Sequence, residues 1–163
     1  MTDITPAVRA DLAPTGKVRA GINYGNFILA SKDPATGESR GVAIDLTREL
    51  AQRLGVPVEI VAYDSVAVMG DAAPTGAWDI AFLGSDPARE GLMGLAERLP
   101  GSRMLDGRFM AVQQSIGVPK GRDAGLAYLR RVVEDAKASG LVARAIEKTG
   151  ARGVSVAPRA PVQ

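Results

Sequence analysis

Ser85, Asp86, Pro87 and Arg89 are the residues of this 163-residue chain whose types and spacing best suit chemistry. Asp86 is a good helix N-cap and Pro87 suits the first helical position, so the spacing predicts a helix that begins here with its free N–H groups pointing past the preceding strand. Such a helix start attracts anions. Arg89, in the first turn, can add two parallel N–H donors to a carboxylate. As a bare residue, Arg89 is equally a solvated side chain or one half of an ion pair with Glu90 or Asp86.

Other chemistries are narrowed by absence. The chain has no histidine and no cysteine, which removes Ser-His-Asp and Cys-His nucleophiles, the usual zinc and iron–sulfur ligand sets, and any disulfide framework. Carboxylate or lysine catalysis and a carboxylate-bound magnesium stay open in principle. Asp45 and Asp79 are the carboxylates nearest to a catalytic pair, but Asp45 reads as a helix cap and Asp79 as a turn residue before a strand. The TGK at Thr15–Lys17 lacks the spacing of a phosphate loop, and GINYGN lacks GxGxxG. No metal, no cofactor and no catalytic residue is expected.

The formal charge is +2, from Lys and Arg scattered among Asp and Glu, and aromatics make up 4%. Neither a basic stripe nor stacking platforms are available for nucleic acid. No apolar stretch approaches the roughly 20 residues that span a bilayer. The opening MTDITPAVRADLAPTGK has no apolar core of a secretory signal, so the sequence as it stands predicts either a cytoplasmic product or one whose signal has been removed.

The elements around these residues follow from periodicity. With 46% apolar content the chain supports one core rather than two. Residues 1–16, polar and proline-bearing, read as a loose lead-in. KVRAGINYG reads as a strand with Val18, Ala20 and Ile22 on one face. FILASKDPATGESRGVAI reads as a hairpin-like excursion around DPATGES, with its second strand at Val42–Ile44. Asp45 caps a predicted helix to Leu54, with Leu46, Leu50, Ala51 and Leu54 as its apolar stripe and Gly55 as its end. VPVEIVAYD is a β-branched strand, SVAVMGDAAPTG a broken helix, and WDIAFLG a buried strand in which Trp78 serves packing. A strand centred on 109–118 precedes a helix from Asp123 to Ala138, with Leu126, Leu129, Val132, Val133 and Ala136 on one side. A shorter helix follows over Leu141–Thr149. Residues 151–163 read as a disordered tail. Alternation of strands and helices with short connections predicts an α/β fold of three layers, a mostly parallel sheet with helices on both faces.

GVAIDLTRELAQRLGVPVEIV followed by WDIAFLGSDPAR resembles the first lobe of the extracellular solute-binding proteins of ABC importers for polar amino acids, which have the type II periplasmic-binding-protein fold. KVRAGINYGN is similar to the opening strand of that family, and GRFMAVQQSIGVPKGRDAGLAYLRRVVEDAKASGLVARAI to its closing strand and C-terminal helices. The resemblance spans Lys17 to Gly150 and implies a single α/β lobe there. It implies that Arg89 binds the α-carboxylate of an amino acid, beside Ser85, Asp86 and Gly84. It also implies that an aromatic after the first strand packs on the ligand side chain, with Tyr24 in that role and Asn23 and Phe27 beside it. Tyr24 is otherwise a residue that covers the sheet edge. Leu83 and Gly84 stand where the family usually has small hydroxyl residues, and Val42 and Ala43 replace the aromatic and acidic residues of its first helix. The resemblance therefore leaves the ligand class open.

In that family the chain leaves the first lobe after the arginine segment, builds a second lobe and returns. Here the joining segment 91–103 spans that position, so half of a ligand site is expected. Two-lobed binders close around their ligand, and each 1.4 kcal/mol of lost contact weakens binding about tenfold. Weak binding of a small amino acid or carboxylate is the expectation, with a ligand-free structural or engineered scaffold as the alternative. An enzyme is not expected. Leu92, Met93, Leu95, Phe27 and Ile28 would form an apolar patch favouring a homodimer. A periplasmic location and an ABC permease partner are implied by the resemblance alone.

Overall fold

The computed structural model describes residues 4–84 and 113–160. Its centre is the strand Val18–Asn23 (β1), flanked in parallel by Val58–Tyr63 (β4), with Val18 opposite Val58 and Asn23 opposite Tyr63. On the other side β1 pairs in parallel with Ile80–Gly84 (β5), Ala20 opposite Ile80. Gln114–Gly117 (β6) runs antiparallel along the outer edge of β5. The sheet order is β4-β1-β5-β6.

Strand alternation sorts the side chains into two layers. Val18, Ala20, Ile22, Ile80 and Phe82 enter the larger core, where they meet Val42–Leu54 (α2), Asp123–Ala138 (α4) and Leu141–Thr149 (α5). On the opposite face Ala81 meets Met69 and Trp78, with Leu83 and Tyr63 packed beside them. Met69 belongs to the short helix Val66–Asp71 (α3), which a 3-10 turn over Ala73–Thr75 follows. Helices thus cover both faces of a mostly parallel sheet, the three-layer α/β arrangement that periodicity predicts.

The predicted stripe of α2 is buried in full: Leu46, Leu50, Ala51 and Leu54 all enter the core. Helix α2 nevertheless begins earlier than expected. Val42–Ile44 is its first turn and not a strand, and Gly41 occupies the cap position, so Asp45 lies inside the helix rather than capping it. The excursion before it is the hairpin Ser31–Lys32 (β2) and Ser39–Arg40 (β3). In α4 the buried face is Tyr128, Leu129, Val132 and Ala136, with Leu126 and Val133 at its half-buried margins. The strand expected over 109–118 is described only at Gln114–Gly117; its earlier part lies outside the described residues.

Within the segment expected to be a loose lead-in, residues 6–12 are helical. Pro6–Leu12 (α1) is a helix whose cap Thr5 accepts a hydrogen bond from the Val8 N–H at 3.3 Å, with Pro6 in the first turn. Val8 and Leu12, four residues apart, are both buried in the main core. Residue Asp11 fastens the helix to α4: its Oδ2 accepts from the Gly125 N–H at 2.8 Å. Close approach is possible because position 125 has no side chain, since a Cβ there would stand 2.7 Å from Asp11 Cβ. Leu12→Ala should therefore cost about 2–5 kcal/mol, the range for emptying a closed apolar site. Urea unfolding checks this, and a loss below about 0.5 kcal/mol, the scale of ordinary surface changes, would show that α1 is not part of the core.

At the other end, residues 151–160 form no helix or strand but lie along α4, where Lys137 Nζ donates to the Pro158 carbonyl at 2.9 Å and the Ala160 N–H to Glu134 Oε1 at 3.4 Å.

Candidate functional site

The chain order across the sheet creates one crevice. From β1 the chain passes through α2 to β4 on one side of β1, then through α3 to β5 on the other. The connections lie on opposite faces, so the carboxyl ends of β1 and β5 part company at Asn23 and Gly84. Open α/β sheets bind their ligands at such a switch point.

A short polar rim lines that edge. Asn23 Oδ1 accepts from the Gly25 N–H at 2.9 Å and the Asn23 carbonyl from the Asn26 N–H at 3.3 Å, which turns the chain sharply after β1. The Asn26 carbonyl then accepts from Leu29 and Ala30, both at 3.1 Å. The Asn26 side chain is buried and its Nδ2 donates to Gln114 Oε1 at 3.3 Å. Gln114 is the register partner of Gly84. Asn26 and Gln114 thus tie the turn after β1 to the β5–β6 pair. Composition and spacing do not single them out, because their contact joins residues 88 apart in the chain.

Tyr24 is half-buried in the same turn. Its hydroxyl hydrogen-bonds to the hydroxyl of Ser39, and Lys32 Nζ stands 5.2 Å from its ring centroid. Phe27 is half-buried in the turn as well. Four of the sequence candidates, Asn23, Tyr24, Phe27 and Gly84, therefore lie at or next to the crevice. The other three, Ser85, Asp86 and Arg89, lie outside the described residues, as do Leu92, Met93 and Leu95; Ser85 follows Gly84 directly in the chain.

The hairpin that carries Ser39 and Lys32 is held by Asp33. Its Oδ1 accepts from the Ala35 and Thr36 N–H groups at 2.8 and 3.1 Å, and its Oδ2 from Arg40 Nη1 at 3.0 Å. The two backbone donors hold this carboxyl below the ordinary aspartate range, with Arg40 adding to the effect.

The carboxylates weighed as a pair stand in different places. Asp45 is half-exposed in the first turn of α2, 3.9 Å from Arg48 Nη1 and 3.8 Å from Lys148 Nζ. Asp79 is more than a turn residue: its carboxylate is fully buried at the amino end of β5. Arg19 donates to it through Nε at 3.0 Å, Nη2 at 2.8 Å and its backbone N–H at 3.1 Å, and Arg122 through Nη1 at 2.9 Å. That hydrogen bonding raises the pKa of the Arg19 guanidinium above its ordinary value despite partial burial. The hub sits at the opposite end of the sheet from Asn23 and Gly84, so its role is architectural. Trp78 packs as expected, buried with its Nε1 donating to the Met69 carbonyl at 2.9 Å. Among the described residues no group of three or more Asp or Glu side chains is placed to hold a metal ion.

No family model and no curated protein matches the sequence. Solved structures do. An amino acid ABC transporter substrate-binding protein from Streptococcus pneumoniae, bound to L-arginine, aligns with a TM-score of 0.64 at 14% identity, over 89% of this chain and 98% of that one. The arginine-bound form of domain 1 from TmArgBP aligns at 0.52 and 20% identity, over 74% of this chain and 94% of that one. The chain shares the α/β fold of these solute-binding-protein structures, including that of a single isolated domain. This solute-binding-protein fold also occurs in an ancestral cyclohexadienyl dehydratase, TM-score 0.63 at 17% identity, over 91% of this chain and 97% of that one. Binding and catalysis thus both occur on similar folds, so the function has to be argued from the site.

Proposed function

We propose that the chain is a solute-binding module that carries half of a ligand site for a small amino acid or carboxylate, at the crevice between the carboxyl ends of β1 and β5. The observation that carries this reading is the switch point itself, with Asn23, Tyr24 and Gly84 at its margin. Ser85 and Asp86 follow Gly84 directly and Arg89 stands five residues on, so a helix starting at Pro87 would bring N–H donors and a guanidinium to the same edge. Arg89 holds the ligand carboxylate, and Tyr24 and Phe27 face its remaining atoms. The amino-acid ligands of the structural neighbours support the ligand class. Asn26 and Gln114 brace the two strand ends.

Residues 85–113 join β5 to β6, whereas domains rarely fold with fewer than about 50 residues. In this reading the joining segment stands where a second lobe would be inserted, and the ligand keeps one face in water. Affinity is correspondingly weak, in the millimolar range, where the binding free energy is only about −4 kcal/mol. In this reading the function is binding rather than turnover, in line with the amino-acid-binding proteins among the structural neighbours.

A thermal-shift screen of the parent and Arg89→Ala against amino acids and small carboxylates tests the proposal. The expected result is a ligand that raises the midpoint of the parent and leaves the variant unmoved, because loss of a bidentate pair to a charged group removes about 1.5–3 kcal/mol. No shift from any compound, with both proteins folding cooperatively, would leave a scaffold without a ligand.

A further inference from the structure

The hairpin β2–β3 meets Tyr24 twice. Lys32 and Ser39 are direct register partners, so their side chains leave the same face of the hairpin. One of them takes the tyrosine hydroxyl and the other stands over the ring. Tyr24 is therefore fixed at its tip and covered by a cation on its face. Lys32 forms no ion pair among the described residues, whereas its neighbour Arg40 is paired with Asp33. Lys32 thus brings a positive charge to the aromatic group of the site.

We infer that Lys32, seated over the Tyr24 ring beside the crevice, is a specificity-determining residue that favours ligands with an anionic side chain and disfavours cationic ones. The inference rests on the proposed reading of this crevice as a ligand site and adds the class of side chain that it accepts. Its physics is direct. A ring face attracts one cation at a time, and a guanidinium or ammonium from a ligand would have to displace Lys32 and endure its charge. A carboxylate side chain gains from the same ammonium. An exposed ammonium in high dielectric contributes modestly, so the effect is one of preference rather than of binding as such. The arginine held by the structural neighbours is thus not the side chain expected here.

The test is a titration of the 15N-labelled full chain with L-glutamate and L-arginine, following the amides of Asn23 and Gly84, in the parent, Lys32→Ala and Lys32→Glu. Lys32 is exposed, so both variants keep the fold. The parent is expected to favour glutamate. Lys32→Ala should cut that preference by roughly twofold to fivefold, and Lys32→Glu should reverse it, the scale of an exposed cation–aromatic contact and of one reversed surface charge. Arginine binding the parent as tightly as glutamate would overturn the inference, as would binding with the same preference in all three proteins; the crevice would then remain a ligand site and only the role of Lys32 would fall. If neither amino acid moves these amides in any of the three, the ligand site falls, and the inference with it.

Discussion

Asp79→Ala should be the most damaging single substitution outside the apolar core, lowering stability by about 3–5 kcal/mol, as expected when one member of a buried ionic cluster is removed. The carboxylate is fully buried, while the Arg19 and Arg122 side chains are 17% and 19% exposed. Its loss leaves two largely enclosed guanidinium groups facing each other without their common counter-charge, and the Arg19 N–H without an acceptor. The damage spreads along the chain, because Arg122 Nη1 also donates to the Asp11 carbonyl at 2.6 Å and so links β5 to α1. Asp79→Asn keeps the shape and one acceptor and should cost less. Urea unfolding of both variants, read as a shift of midpoint at constant slope, measures the effect. A loss of less than about 1 kcal/mol for Asp79→Ala, the scale of an exposed pair, would mean that the hub contributes no more than a surface ion pair.

The second large effect is expected at Gly41, the residue that starts α2. Its φ and ψ are 128° and 177°, a region that only glycine enters readily. A Cβ there would lie 2.4 Å from the Leu29 carbonyl oxygen and 2.9 Å from Ala30 Cα. Both are backbone atoms, and the Leu29 carbonyl is held in place by the Ala43 N–H at 2.9 Å. Neither can swing aside as a side-chain tip would. Backbone strain alone is worth about 1–3 kcal/mol, and the clash adds to it, so Gly41→Ala should cost at least about 3 kcal/mol. Gly37, at φ 72° in the hairpin turn with open space around its Cβ position, is the control. There Gly37→Ala should cost only about 1–2 kcal/mol, the left-handed penalty by itself. Equal losses at the two positions, measured by thermal or urea unfolding, would show that close approach to Leu29 does not matter.

These two sites also explain why the crevice keeps its shape. Gly41 lets the hairpin pass against the chain at Leu29–Ala30 and so sets where Ser39 and Lys32 meet Tyr24. Asp79 holds the amino end of β5, whose other end is Gly84. At the proposed ligand edge, strands anchored at their far ends would need little reorganisation to receive a ligand, which lowers the cost of binding.

Much of this protein is legible from periodicity. The bounds of α4 and α5, the broken helix around α3, the strands β1, β4 and β5, and the packing role of Trp78 all follow from side chains a few residues apart, so local spacing alone determines them. The three-layer α/β order follows in turn, because alternating strands and helices with short connections have few other ways to bury their apolar faces. The candidates Asn23, Tyr24, Phe27 and Gly84 came from a resemblance in segment order, and the strand topology brings all four to one edge.

Only the tertiary structure decided the rest. Pro6–Leu12 is helical although its surroundings are polar and proline-bearing, because Val8 and Leu12 find a core that the local sequence does not contain. Val42–Ile44, apolar and partly β-branched like a strand, winds into α2 because all three side chains are buried in the same core as the rest of that helix. Asp79, which locally resembles a turn residue, is a buried hub because Arg19 and Arg122 reach it from 60 and 43 residues away. Lys32 covers Tyr24 because a hairpin register sets it there. Each of these depends on a partner distant in sequence. Spacing along a chain reports which faces are apolar, and folding alone determines which charges and rings those faces bring together.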